Sequence, residues 1–409
     1  MGRQIVQQQH RFGPSISTVV STFSIGISLL TFGVLRKGLR DSATVGAVMR
    51  AAARAGRDWP TVAVLVPARD EEASVATCLT SIITQDYPTH EVIAIDDESA
   101  DRTAAIMDDL QRLNPRRLRI VRAGPVPAGG WVGKTNALQQ GYAYVLPETT
   151  WLLFVDADTT LAPGTLRAAV GYAADQGLDL LSLVPAPRLR GFWSRLLIPI
   201  VARFYLLAQL DPLHPVKRGS PEEAVAIGQF ILVRHDAYRA VGGHRAVRGS
   251  TAEDVALAKL FRAHGFRTLM TNGLDFVESE SYQGLGELWE GTTKNLFVVA
   301  RGRWSTLTAT LALEYLSGLI PVVLLMRLRR PRLQASIVVW TNRVAVGLVA
   351  LSYGRYLRVL SVPLRYVALY PLSALLGSLI FLDSARLVSV RRSVRWKGRS
   401  VDARFLLSR

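Results

Sequence analysis

The chain has 409 residues, 49% of them hydrophobic, with 49 Lys and Arg against 32 Asp and Glu and a single cysteine. That length allows two or three domains, a mean hydropathy of +0.21 demands a search for membrane segments, and a lone Cys78 excludes both an internal disulfide and a thiolate metal site. The net charge of +17 calls for an anionic partner, nucleic acid or a membrane leaflet, and the clustering of Lys and Arg beside apolar runs favours anionic membrane lipids.

Residues 16–35 form an uncharged apolar run long enough to span a bilayer. Arg3 and Arg11 precede it, and Arg36, Lys37, Arg40, Arg50, Arg54 and Arg57 follow, which places the next domain in the cytoplasm. Its length, and the lack of a small-residue cleavage pattern, favour an anchor over a cleaved signal. Residues 38–58, rich in Ala and Arg, read as a linker or interfacial helix.

From Thr61 strands alternate with helices. Strands are predicted at Val62–Val66, Glu91–Ile95, Leu118–Val121, just before Asp156 and at 178–184, with helices at 73–84, 101–113, 134–146 and 163–175. This order predicts a mostly parallel sheet covered by helices on both faces, with ligands at the carboxyl ends of the strands. Residues 191–213 are apolar and aromatic but carry Pro199, Arg195 and Arg203. They are expected to form an interfacial helix, with a buried core helix as the alternative. Apolar runs follow near 306–326, 335–352 and 359–382, separated by Arg327, Arg329, Arg330 and Arg332 and closed by Arg391, Arg392, Arg395, Lys397 and Arg399. Two of the three runs are expected to span, and Glu314 inside the first supports placing that one in the interface.

Three acidic clusters fall at three predicted strand ends: Asp70-Glu71-Glu72, Asp96-Asp97, and Asp156 with Asp158. One such cluster is an ordinary solvated turn; three in one sheet point to a ligand crevice. Asp156 and Asp158 are candidate metal ligands, since Mg²⁺ is commonly held by one or two carboxylates plus substrate phosphates. Ser99 or Asp101 could instead simply cap the next helix. Gly129, Gly130, Gly133 and Lys134 open a further helix and suit phosphate, although the spacing is not that of a P-loop. Glu253-Asp254 precede the helical stretch Val255–His264, either as helix-mouth acids with Ser250 or Thr251 as cap, or as a general base. His235 and His244 are expected to be structural or exposed.

In this order the motifs resemble those of family 2 glycosyltransferases: Pro67-Ala68-Arg69-Asp70-Glu71-Glu72, Asp96-Asp97-x-Ser99-x-Asp101-x-Thr103, Gly130-Trp-x-Gly-Lys134, Asp156-x-Asp158 and Glu253-Asp254. The resemblance covers about residues 61–300 and implies an α/β GT-A fold, a Rossmann-like mixed sheet flanked by helices, here joined to transmembrane helices. It divides the chain into an anchor and linker (1–60), a catalytic domain (61–300) and a C-terminal membrane region with a basic tail (301–409). The membrane-anchored layout is similar to the hopene-associated and carotenoid-type branches, which act on lipid acceptors. The family's chemistry implies an inverting transfer from a nucleotide-diphosphate sugar, with Mg²⁺ or Mn²⁺, by a multi-pass protein of the cell membrane.

The resemblance also implies roles. Ala68, Arg69 and Glu71 would line the nucleotide pocket, Asp97 would read the base, and Lys134 would contact the nucleotide or its phosphates. Asp156 would approach the ribose or the metal, Asp158 would bind the metal, and Asp254 would be the base with Glu253 beside it. The family usually has Asn where Asp70 stands, and the resemblance implies that Gly228-Gln229-Phe230 and Gly242-Gly243-His244 would shape the acceptor cleft. The Gln-x-x-Arg-Trp of processive members is absent; Trp289 and Lys294 occupy that place as possible acceptor or diphosphate contacts, which argues against a processive polysaccharide synthase. A nucleotidyltransferase would want a Gly-rich basic loop after the first strand, where this chain is acidic. An inactive membrane scaffold would not need Asp156, Asp158 and Asp254. No nucleic-acid partner is expected.

Overall fold

A computed structural model describes residues 16–402 except 55, 128–129, 210–218, 251, 283, 301, 328–336, 392 and 397–398. Arg3, Arg11, Gly129, Thr251, Arg329, Arg330, Arg332, Arg392 and Lys397 therefore lie outside the described residues. In chain order the elements are α1 (Ile16–Arg54), β1 (Val62–Ala68), α2 (Val75–Ile83), β2 (His90–Asp96), α3 (Thr103–Leu113), β3 (Leu118–Arg122), α4 (Gly133–Tyr142), β4 (Trp151–Phe154) and β5 (Thr159–Leu161). Next come α5 (Thr165–Asp175), β6 (Leu180–Val184), β7 (Ala186–Arg188), α6 (Phe192–Gln209), β8 (Ile231–Arg234), α7 (His235–Ala240), α8 (Gly243–Ala246), α9 (Glu253–Ala263), β9 (Thr268–Asn272) and β10 (Val277–Glu280). The chain ends with α10 (Leu285–Val299), α11 (Trp304–Glu314), α12 (Ile320–Arg327), α13 (Ile337–Val359), α14 (Tyr370–Arg386) and the strands β11 (Ser393–Trp396) and β12 (Arg399–Asp402).

These elements form two compact units. The larger holds the described residues of Gly38–Arg195, Pro212–Trp304 and Ile380–Arg409; the smaller holds those of Met1–Lys37, Leu196–Asp211 and Ser305–Leu379.

The larger unit is an α/β, GT-A-like fold. Its seven-stranded sheet has the order β3-β2-β1-β4-β8-β6-β9. β1 pairs in parallel with both β2 and β4, whereas β8 runs antiparallel to β4 and β6, so the sheet is mixed. The central strands are apolar on both faces (Val62–Leu65, Val92–Ile95, Trp151–Phe154), as a sheet covered on both sides requires. One face packs Leu79 and Ile82 of α2, Met107 of α3 and Leu166 and Val170 of α5. The other packs Leu138 of α4, Tyr238 of α7 and Leu257 and Phe261 of α9. A second, three-stranded sheet has the order β5-β10-β7. Residues 38–54, expected as a linker or an interfacial helix, are helical. They continue α1 as one helix, and Met49 and Ala52 are buried in the first of these cores. Gly171 of α5 admits this helix, because a Cβ there would stand 2.9 Å from the Ala52 carbonyl oxygen.

The smaller unit is helical. A π-helical turn, Tyr315–Leu319, joins α11 to α12. The Arg203 Nε of α6 donates to Glu314 at 2.6 Å, Tyr370 donates to the same carboxylate, and both members of the ion pair are buried. Glu314 is thus neutralised within the unit rather than held at a water interface, which removes the support it gave to an interfacial first run. Leu196, Leu197, Ile200, Phe204 and Leu207 of α6 are buried, while Phe192 and Tyr205 are exposed, so α6 has a packed face and an open one. Two described helical stretches, Trp304–Met326 and Leu364–Arg391, are long and apolar enough to cross a membrane.

Candidate active site

The site forms in the larger unit where β1, β2 and β4 end. The loops after β1 and β2 are tied together by their own acids and hydroxyls. The N–H groups of Asp70, Glu71 and Glu72 donate to Ser99 Oγ (3.1 Å), Thr103 Oγ1 (2.7 Å) and Asp101 Oδ2 (3.0 Å). In return the Ala100 and Arg102 N–H groups donate to Asp70 Oδ1 (2.8 Å) and Glu72 Oε2 (3.1 Å). Asp70 and Glu98 take left-handed backbone angles, φ 51° and 57°. Asp and Asn tolerate that region far better than most residues, which accounts for an Asp where the family usually has Asn. Beside this lattice, Asp97 N–H donates to the Ala68 carbonyl at 2.9 Å, and Arg69 Nη1 donates to the Asp97 carbonyl at 2.9 Å. Ala68, Arg69 and Asp97 therefore form one wall.

The second wall is a cluster of charge. Lys134 opens α4, and its Nζ lies 2.6 Å from Asp156 Oδ1 and 2.6 Å from Glu253 Oε1. Burial opposes its charge, but Asp156, Glu253 and Asp254 outweigh that and hold its pKa well above the ordinary value. The Gly228 N–H donates to Asp254 Oδ2 at 2.9 Å, and the Val255 N–H donates to Oδ1 at 2.8 Å. Burial, then Glu253, push the Asp254 pKa up to about 6. Gly228 is required by space: a Cβ there would meet Lys134 Nζ at 2.8 Å and Asp156 Oδ2 at 3.3 Å.

Asp158 is crowded by like charge. Burial, then Asp156 and Glu71, push its pKa up to about 7. Its carbonyl accepts the Glu280 N–H at 3.0 Å, which ties the second sheet to this strand end. A cation would relieve such crowding, so the residues fit a divalent ion completed by a substrate diphosphate. Among the described residues no group of three or more His, Cys, Asp or Glu side chains converges as a self-sufficient metal site.

The structure thus brings Lys134, Asp156, Glu253 and Asp254 together, with Asp158 and Glu71 alongside. Lys294 of α10 feels the same charges: burial and Lys134 lower its pKa, against Glu253, Asp156 and Asp254. Trp289 does not join this group through its indole N–H, which donates to Asp383 Oδ2 at 2.9 Å. The capping expectations are corrected. α9 has Ala252 at its N-cap with no side-chain cap, so Ser250 is not the cap. Ser99 accepts from Asp70 rather than capping α3, whereas Asp101 Oδ1 does accept the Thr103 N–H, at 2.9 Å. His235 is structural, set between Tyr142 and the Thr149 carbonyl. His244 lines the site cavity with Lys134, Asp156, Gly228 and Glu253. Burial, then Lys134, push its pKa down to about 3. Gly228-Gln229-Phe230 and Gly242-Gly243-His244, expected to shape an acceptor cleft, supply the N–H on Asp254 and the imidazole beside Lys134 and Asp156.

Comparison with known proteins gives a consistent picture. The model of the family described as "Glycosyl transferase family 2" matches residues 63–242. The chain is 27% identical over 341 residues to 4,4'-diaponeurosporenoate glycosyltransferase of Staphylococcus aureus (strain MRSA252), covering 82% of this chain and 87% of that protein. Among solved structures it is similar to a mannosyltransferase from Pyrobaculum calidifontis in complex with GDP-Man and Mn²⁺, at 16% identity and TM-score 0.45, covering 90% of this chain and 98% of that one. It is also similar to S. aureus TarS 1-349 in complex with UDP-GlcNAc, at 16% identity and TM-score 0.36, covering 83% and 95%.

Proposed function

We propose, from the premise that this chain belongs to glycosyl transferase family 2 and is a glycosyltransferase, that it moves one sugar with inversion from a nucleotide-diphosphate sugar to a carotenoid-type lipid acceptor at a membrane. The observation that carries the reaction chemistry is Asp254. It is oriented by two backbone N–H groups, and its raised pKa keeps it basic enough to accept a proton yet mostly ionised near pH 7. The acceptor oxygen attacks the anomeric carbon, the bond to the diphosphate breaks with its electron pair, and a hydroxyl acceptor gives its proton to Asp254. Asp158 with Asp156 would hold a divalent cation, Mg²⁺ or Mn²⁺, whose charge offsets that of the diphosphate. Lys134 fixes Asp156 and Glu253, and the wall of Ala68, Arg69, Glu71 and Asp97 suits a nucleotide.

The acceptor class rests on the S. aureus relative, whose name specifies a diaponeurosporenoate, and on the two long apolar helices. Asp254→Asn is the direct test, with nucleotide-sugar binding and transfer measured side by side. Binding should stay near normal while transfer to a hydroxyl acceptor falls about 10²–10⁴-fold. A carboxylate acceptor is already ionised and needs no base, so its transfer should survive and identify the acceptor group. Unchanged turnover on a hydroxyl acceptor would remove Asp254 from the base role.

A further inference from the structure

We infer that His244 is a substrate-positioning residue whose Nε2–H donates a hydrogen bond to a hydroxyl oxygen of the sugar being transferred, and that Tyr238 fixes the ring in that tautomer. The inference rests on the glycosyl-transfer reading above. The His244 backbone N–H donates to Tyr238 Oη at 3.0 Å, and the same hydroxyl lies 2.8 Å from His244 Nδ1. Tyr238 is buried, and burial holds its phenol in the protonated form. Its oxygen already accepts the backbone N–H, so its one proton goes to Nδ1. A neutral imidazole that accepts at Nδ1 carries its proton on Nε2.

The ring cannot turn away to satisfy that proton elsewhere. His244 is 2% exposed and stands edge-on to Phe154, with ring centroids 4.7 Å apart. It nevertheless lines the cavity shared with Lys134, Asp156, Gly228 and Glu253. With Nδ1 occupied, what it can offer that cavity is the Nε2–H. The polar groups of this cavity are set among Leu138, Phe154 and Ile231, a mixed lining that suits a sugar ring, with its hydroxyls and its apolar C–H faces, and Asp156 ties the cavity to the donor side. Lys134 gives two of its three N–H groups to carboxylates, and the His244 N–H adds a donor that reads an oxygen without adding charge.

The test uses the full chain in detergent, offered UDP-glucose, GDP-mannose and UDP-N-acetylglucosamine, with UDP and GDP as sugar-free controls. His244→Phe keeps a ring and removes the donor; His244→Gln places an amide N–H near the position of Nε2. His244→Phe should weaken the best-bound nucleotide-sugar about tenfold and leave its nucleoside diphosphate unchanged, and His244→Gln should recover most of the loss. Ring ¹⁵N shifts should show the Nε2–H tautomer for the signal that His244→Gln removes, and Tyr238→Phe should mix the tautomers. Equal weakening of sugar-bearing and sugar-free nucleotides, no recovery in His244→Gln, or an Nδ1–H ring would each overturn the inference. A wild type that binds none of the three sugars would overturn the donor reading and this inference with it, while the tautomer would still report separately on the Tyr238 geometry.

Discussion

Lys134 stands within 2.6 Å of both Asp156 and Glu253, so one ammonium holds two carboxylates that would otherwise repel each other. Glu253 is thereby engaged, and the neighbouring Asp254, held by backbone N–H groups, is the acid left to take a proton. Its pKa of about 6 owes first to burial and next to Glu253. The sign follows directly. A base must be ionised, so transfer to a hydroxyl should rise with pH through about 6 and fall off below it. Glu253→Gln removes the nearest like charge and releases the Lys134 ammonium from one partner. Both changes favour the ionised form of Asp254 and should move the acid limb to lower pH. Rate against pH for the two proteins checks this; a limb that stays in place in Glu253→Gln would mean that another group controls it. Lys134 itself was legible as a phosphate-facing cation at a helix start, but not as an internal counter-ion, because its partners are 22 and 119 residues away in the chain.

At the scale of elements, the acids after β1 and β2 divide into two kinds. Asp70, Glu72 and Asp101, with Ser99 and Thr103, bind the two loops to each other, while the Asp97 carbonyl accepts from Arg69. Asp101→Ala leaves the Glu72 and Thr103 N–H groups without their acceptor, at a cost of about 1–2 kcal/mol. It should also weaken nucleotide binding, since Arg69 and Asp97 hang from these loops. Denaturant midpoints and nucleotide titrations read the two effects, and a variant with normal stability would show that water replaces the carboxylate. The sequence displayed three acidic strand ends but not this division, which arises only when the loops meet. The strands show the same limit. β1, β2 and β4 are legible because burial on both faces forces continuous apolar runs. β5 and β7 are three residues each, and Ala186-Pro187-Arg188 has no apolar pattern to find. β8 is apolar, but nothing in its four residues encodes that it runs antiparallel. Ala-rich residues 38–54 read as a linker or an interfacial helix, and their packing on Gly171 was not legible because small side chains give a faint hydrophobic signal.

At the scale of the molecule, α10 holds both ends of the C-terminal helical stretch. Phe297 of α10 packs on Trp304, where that stretch begins, with ring centroids 5.7 Å apart. Just past its far end, Asp383 and Ser384 of α14 take hydrogen bonds from the Trp289 indole (2.9 Å) and the Phe297 N–H (2.9 Å). A membrane-inserted stretch whose two ends are held by one helix of the catalytic unit must cross an even number of times. Trp304–Met326 and Leu364–Arg391 are the two long apolar stretches, so on the proposed membrane reading the first crosses one way and the part of the second before Asp383 crosses back. α13, with Asn342, Arg343, Arg355 and Arg358, does not. Arg391 then lies on the catalytic side, where its positive charge meets the anionic leaflet. Three crossings would strand Asp383 away from Trp289. The single native cysteine, Cys78, is buried, so it offers little background to thiol labelling. Cysteines introduced at Lys259, exposed on α9, and at Arg391, exposed past the end of α14, should react with a membrane-impermeant maleimide in the same preparation, both in inverted vesicles and neither in intact cells. Labelling of the two from opposite sides would require an odd number of crossings and would break the link between α10 and the end of α14.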